Sequence, residues 1–318
     1  MARSNVGTLH THSVVTKTIS ATPTSVLGVE DYALDPQIQN IINHAGGDHR
    51  PSYVAGISYS PIVTWSCSDL ATAMNGFGGT NALDGLSITG ATDTLDFYFA
   101  KKAKEGTRAT GSNHIRARMF DSYTYLEEIT GGPGANATAR FRSIGIYDGT
   151  NEPLIMGTAV ALPSSISNLT EKFKAGQVNV NGSNVDGVTN ITVRTGIETD
   201  ILFAGGDHSP TWVGQRQRRP TIEFTTLELP FFATIGPSGA KGTTAFTVYF
   251  YKIDERGLVV ADGTAEHIKF SGQANQYRVE VGAINVRNND NVSFTTTLYP
   301  LHDGTNAEWT YTSTSTVT

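Results

Sequence analysis

The chain has 318 residues, 38% of them hydrophobic and 16% charged, with a formal net charge of −6. Apolar and aromatic residues run through its whole length, which excludes disorder, and the mild acidity argues against a groove that grips nucleic-acid phosphates. A lone cysteine, Cys67, excludes an intrachain disulfide framework and any cysteine-built zinc site, and no apolar run of about eighteen residues encodes a membrane helix.

The first twenty residues, MARSNVGTLHTHSVVTKTIS, lack a signal peptide's apolar core and read as a polar, extended arm. An apolar strand follows near Val26–Leu34, then a turn at Gly46, Gly47 and Asp48, with Pro51 restricting its exit. A Pro-led strand, Pro61–Ser66, runs into a short helix. Ser68 is expected to cap it, with Leu70, Met74 and Phe77 on one face and Gly76 near its end. A long hairpin then spans Leu95–Phe120, and Asp148–Asn151 (DGTN) reads as a hairpin turn.

After a polar, Ser/Asn-rich linker near residues 163–177, the same order returns. AGGDHRPSYV at Ala45–Val54 matches AGGDHSPTWV at Ala204–Val213, an offset of about 159 residues. The register holds on both sides: Val26, Gly28 and Val29 fall on Val185, Gly187 and Val188, and Pro61, Trp65 and Leu70 fall on Pro220, Phe224 and Leu229. Further on, FYFAKK (Phe97–Lys102) matches VYFYKI (Val248–Ile253), His114-Ile115 matches His267-Ile268, and DGTN recurs at Asp303–Asn306. The second copy reads as strands at VNITVRTGI (with a bulge), TIEFTTLEL and TAFTVYFYKI, with HIKFSGQANQYRVEVGAI as the hairpin's return strand. LELPFFATIGP is the matching helix, with Pro230 where a first turn tolerates it. The expected fold is all-β with one short helix per domain. Its parts are an arm (1–20) and two tandem β-sandwich or barrel copies (21–165 and 166–318), each with a long hairpin.

The search for chemistry finds no catalytic constellation. The eight histidines have no ligand spacing, and His10 and His12 lie in the polar arm. The repeated Gly-Gly-Asp-His could hold an acid/base pair, but a turn explains it better: the glycines supply positive φ, Asp207 bonds backbone, and Pro210 shapes the exit as Pro51 does. DGTN lacks the later acidic ligand of a calcium loop, and Gly131–Gly134 is followed by no Gly-Lys-Ser/Thr. Cys67 reads as a small buried side chain. The basic clusters at Lys101, Lys102 and Lys104 and at Arg216, Arg218 and Arg219 read as salt-bridged intersubunit surfaces or solvated loops. Tyr53 and Trp212, at one repeated position, are expected to pack in the core. No enzyme activity, cofactor or metal is expected.

This order (apolar strand, Gly-Gly turn, Pro-led strand, short Asp-Leu helix, long hairpin, twice over, with FKAGQVNVNGSNVDGVTNITV opening the second copy) resembles the tail tube proteins of tailed bacteriophages and related viruses. The resemblance implies a virion tail protein made in the host cytoplasm. Three chains would form a pseudo-hexameric ring with sheets joined edge to edge, and the rings would stack into a conduit through which DNA passes without specific binding. It implies other virion tail proteins as partners and no membrane. The structural turn residues are then Gly46, Gly47, Asp48, Pro51, Gly205, Gly206, Asp207 and Pro210. The expected assembly surface is the hairpin: Phe97, Phe99, Lys101, Val248, Phe250 and Lys252. Other readings are a different virion ring or adaptor component, a capsid decoration protein, and a tandem carbohydrate- or surface-binding module with aromatic platforms.

Overall fold

The computed structural model describes residues 10–19, 22–43, 51, 53–79, 81–89, 93–103, 107–164, 171–284 and 292–317. The first half opens with β1 (His10–Ile19), β2 (Thr22–Val26), β3 (Val29–Asp35), β4 (Ile38–Asn43), β5 (Tyr53–Tyr59) and β6 (Ile62–Cys67). Helix α1 (Leu70–Gly76) and the single turn α2 (Asn81–Asp84) follow. The half ends with β7 (Leu86–Ile88), β8 (Thr94–Lys101), β9 (His114–Met119), β10 (Asp121–Gly132), β11 (Ala135–Ile146) and β12 (Ile155–Val160). The second half begins with β13 (Lys172–Val180), β14 (Ser183–Val185), β15 (Val188–Arg194), β16 (Ile197–Leu202), β17 (Trp212–Arg218) and β18 (Thr221–Thr226). Helix α3 (Leu229–Ile235) precedes β19 (Ala240–Lys241), β20 (Thr247–Ile253), β21 (His267–Gly272), β22 (Tyr277–Val281), β23 (Phe294–Pro300) and β24 (Trp309–Ser315).

These strands make an all-β, sandwich-like protein. Two five-stranded sheets, ordered β12-β9-β8-β1-β2 and β24-β21-β20-β13-β14, face one ten-stranded sheet ordered β19-β22-β23-β18-β15-β10-β11-β6-β3, with β7 on β10. One apolar core, drawn from all three sheets and both longer helices, lies between the layers. The alternation of the strands accounts for it. In β18, Ile222, Phe224 and Thr226 are buried while Thr221, Glu223 and Thr225 point away. Trp65 of β6 stacks on Phe141 of β11, ring centroids 4.3 Å apart, with Phe77 closing over both at 5.5 and 5.6 Å.

The two halves correspond strand for strand. β4 and β5 form a separate two-stranded ribbon whose bulge lies between Gln39 and Asn40, and β16 and β17 form another with its bulge between Glu198 and Thr199. The strands β3 and β15 carry their bulges at Val29/Asp31 and Val188/Asn190. The far end of each hairpin is closed alike: the Lys101 N–H donates to Nδ1 of buried His114 (3.0 Å), and the Lys252 N–H to Nδ1 of buried His267 (3.2 Å). Burial first, then neighbouring cationic groups, holds the His114 imidazole below its ordinary pKa, which keeps this ring nitrogen an acceptor.

Several expectations change. Residues 10–19 are not an arm: β1 pairs with β2 and β8, and Val14, Val15 and Thr16 are buried. Helix α1 is capped by Asp69, whose Oδ1 accepts the Thr72 N–H at 3.0 Å, and not by Ser68, whose hydroxyl donates to the Gly28 carbonyl. The first half has a second helical turn, α2. The hairpin expected at Leu95–Phe120 is the β8–β9 pair, whereas the return strand expected in the second copy is split between layers, β21 in the small sheet and β22 in the large one.

Nor are the DGTN segments hairpin turns. Each carries the chain from the large sheet to a small one, between β11 and β12 and between β23 and β24. In the second, Asp303 Oδ1 accepts the N–H groups of Asn306 (2.6 Å) and Thr305 (2.8 Å), and Oδ2 accepts the Asn306 amide. These donors push the Asp303 carboxyl down to about 2. At Asp148 burial opposes the shift, yet the same donors from Asn151 and Thr150 leave the carboxyl below its usual range. The pKa is lower in the folded chain than the roughly 3.9 of an unfolded aspartate, so this stabilisation is full above about pH 4 and disappears as the pH falls towards 2. Asp303→Asn is therefore expected to flatten the fall in stability between about pH 4 and 2, read as denaturant midpoints across an acid titration against the parent chain.

Candidate functional site

The expected turn residues fall at the tip of the β16–β17 ribbon. Gly205 and Gly206 have φ of +67° and +83°, and the Asp207 N–H donates to the Ala204 carbonyl at 3.1 Å. Pro210 follows. In the first half Gly46, Gly47 and Asp48 lie outside the described residues, and Pro51 is exposed at the start of the returning strand. His208 is exposed, its Nε2 3.4 Å from the Glu152 carboxylate. Among the described residues no three His, Cys, Asp or Glu side chains come together as a metal ligand set.

The hairpin assignment needs correction. Phe97, Val248 and Phe250 are fully buried, and Phe99 packs edge-on against Tyr32, ring centroids 5.0 Å apart. The strands that carry them, β8 and β20, are paired on both sides. Lys252 is held within the chain by Glu171 (2.7 Å) and Glu266 (3.1 Å), while Lys101 is half-buried at the hairpin's end. These side chains build the domain and are not free for a neighbour. Tyr53 and Trp212 are corrected in the opposite sense: they are 56% and 49% exposed, on the ribbons and not in the core.

The strongest feature is the joint between the halves. Strands β10 and β15 pair antiparallel at Glu128–Arg194, Ile129–Val193, Thr130–Thr192 and Gly131–Ile191, fusing two sheets into one. The Thr195 hydroxyl and N–H extend the pairing to the Leu126 and Glu127 carbonyls. On the outer face of this sheet Arg194 spans the seam, 3.4 Å from Glu128 and 2.6 Å from Glu223. Arg140 and Arg142 both reach Glu127, at 3.0 and 3.5 Å.

A second contact lies at one end of that face. The β16–β17 ribbon folds back across the first half, burying Ile197 and Val213 on Ile62, Tyr123, Tyr125, Ile144 and Ile146, with Ile201 alongside. Backbone bonds seat it: Tyr59 N–H to the His208 carbonyl and Tyr147 N–H to the Pro210 carbonyl, both 2.7 Å. Arg218, its side chain 8% exposed, is bound by Asp84 of the first half and Glu308 of the second. A third contact runs through α1: Asp69 Oδ2 accepts the Glu171 N–H (2.9 Å), and Asn75 donates to Ser313 (3.2 Å).

Partly exposed ion pairs are each worth about 0.2–1 kcal/mol, whereas burying one aliphatic or aromatic side chain contributes about 1.5–3 kcal/mol. The ribbon's apolar face therefore outweighs the ion pairs in holding the joint, and the charges fix its register.

Each side of this joint has an open equivalent. The counterpart of β15 is β3, which among the described strands pairs only with β6 and ends the sheet. The counterparts of Ile197, Ile201 and Val213 are Ile38, Ile42 and Val54, and these are 57%, 55% and 59% exposed. Tyr311, beside α1, is 8% exposed, while its counterpart Met156 is 53% exposed. Leu70 of α1 is fully buried, while Leu229 of α3 is 44% exposed. No family model matches the chain, and no curated protein is detectably similar to it.

This asymmetry has a direct consequence in the isolated chain. Ile197→Ala is expected to cost about 2–5 kcal/mol, and Ile38→Ala at the equivalent position less than about 0.5 kcal/mol, by denaturant unfolding.

Proposed function

We propose that the chain is an internally duplicated tail tube subunit of a tailed bacteriophage or related virus. Three copies close head to tail into a ring of six similar domains, and the rings stack into a hollow conduit for DNA. The observation that carries this reading is the joint, which is complete once inside the chain and half-complete at each of its ends. Two unlike, complementary ends give a heterologous contact, and repeating one closes a ring or extends a filament. An unpaired sheet edge is a liability that a lone domain normally blunts. β3 carries no proline, so each of its residues keeps an N–H, and it has the same bulge as β15, which is paired on both sides. Holding two domains in one chain halves the association events needed to close the ring.

The outer face of the large sheet suits a lumen. Its strands present Thr64, Thr130, Thr225, Thr295 and Thr297, and the arginines on it are held by carboxylates: Arg140 and Arg142 by Glu127, Arg194 by Glu128 and Glu223, Arg278 by Glu280. Asp31 and Asp35 add further negative charge. Each arginine on the described strands of this sheet is thus paired with a carboxylate, so a phosphate backbone releases few counterions against it and DNA slides.

Negative-stain microscopy with light scattering tests the proposal. Masses in multiples of three chains, with rings or hollow stacked tubes, are expected. A monomer at every concentration would contradict it and favour a tandem surface-binding module, whose platforms would be the exposed Tyr53 and Trp212.

A further inference from the structure

Among the described residues the β4–β5 ribbon lies on no apolar surface of its own chain, although its twin does. It exposes Ile38, Ile41, Ile42, Tyr53, Val54 and Ile57, each more than 40% accessible. Both of its faces are apolar. Ile42 opposite Val54 repeats the pair of partly buried Ile201 and buried Val213, while Ile41 and Ile57 stand where the other ribbon has Asp200 and Arg216. A ribbon exposed to solvent in its working state would carry charge at such positions, as the second ribbon does on its free side. Contiguous exposed apolar surface of this kind marks an interface.

The surface that would receive it can be located by strand register. The first half's receiving residues Ile62, Ile144 and Ile146 correspond to Thr221, Tyr299 and Leu301, because Ile62 pairs with Ile144 as Thr221 lies opposite Tyr299. Tyr299 and Leu301 are 36% and 49% exposed, and with Pro220, Thr221 and His302 they line an open groove. Tyr123 and Tyr125 correspond to Arg278 and Glu280, which pair with each other at 2.7 Å. The Tyr147 N–H that donates to the Pro210 carbonyl has its counterpart in the His302 N–H, and Pro210 has its counterpart in Pro51.

We infer that the β4–β5 ribbon of one chain docks on the Tyr299/Leu301 groove of a second copy of the same chain, repeating between chains the ribbon contact made within each. The inference rests on the head-to-tail ring reading and adds the surface that holds its chains together. The groove is more polar than its internal twin, and the ribbon compensates with Ile41 and Ile57. The occupant is a second copy because the equivalent contact, at the same positions of the fold, is already made between the two halves of this chain.

Two variants separate the sides. Ile42→Asp with Val54→Asp disables the ribbon, and Leu301→Asp disables the groove. All three side chains are largely exposed, so an unchanged thermal melt and circular dichroism spectrum verify folding. Sedimentation equilibrium is expected to show each variant associating at least about tenfold more weakly than the parent chain. An equimolar mixture retains one intact ribbon and one intact groove, so it is expected to recover a species of twice the 34.0 kDa chain mass and to stop there. If the parent assembles and both variants assemble equally well, the docking inference fails while the ring reading stands. If the parent chain remains monomeric at every concentration, both fail.

Discussion

An antiparallel sheet grows wherever a strand edge meets another, and the organisation of this protein follows from where its edges are used and where they are left open. The four residue pairs between β10 and β15 turn two sheets into one continuous surface. Once that seam exists, the second half's ribbon must lie across the first, α1 must sit between the halves, and the arginines of the outer face must find partners on both sides of the seam. The same geometry leaves β3 unpaired on one side and a receiving surface at Tyr299 and Leu301 uncovered.

The energetic weight lies in apolar burial. The core runs without interruption through both halves, so they share one packed interior and are not two beads on a linker. Backbone pairing at the seam covers only four positions, with each hydrogen bond contributing a net of about 0.5–1.5 kcal/mol. The ribbon contact, with Ile197 and Val213 buried on a patch of tyrosine and isoleucine, adds a comparable or larger share and supplies shape. Position, hydrogen bonding and charge then decide register. Asp69 illustrates the coupling, since one carboxylate caps α1 and binds the N–H of Glu171, the residue just before the second half's opening strand. Burial raises its pKa while the N–H donors hold it down.

Much of the fold was legible in the sequence. Strand alternation, the Gly-Gly-Asp-His turn and the constant offset pointed to the all-β class and to the correspondence of the halves. The apolar face of α1 was readable from Leu70, Met74 and Phe77. What sequence could not supply was the occupancy of each strand's neighbours. FYFAKK looks like an exposed assembly strand because it is aromatic on both faces, yet β8 lies inside its sheet, with Asp96 on its polar side bound by Arg118 at 2.6 and 2.7 Å. HTHSVVTKTI reads as a polar arm because its apolar content is two valines and a terminal isoleucine, but β2 and β8 pair with it on either side. Tyr53 and Trp212 share one position in both copies, which suggested a core site, whereas what they share is a place on a ribbon. The one signal that could have revealed the ribbons was the repetition of Ile38, Ile42 and Val54 as Ile197, Ile201 and Val213, beside a turn too short to bury them.

The central claim is that the seam inside the chain is repeated between chains, and amide hydrogen exchange at β3 tests it most directly. In the dissociated chain the β3 amides that face the open edge should exchange far faster than their counterparts in β15. On assembly they should become protected to a similar degree, together with the amides of the β4–β5 ribbon. Assembly that leaves β3 and the ribbon exchanging as they do in the free chain would contradict the account, because the chains would then be joined through some other surface.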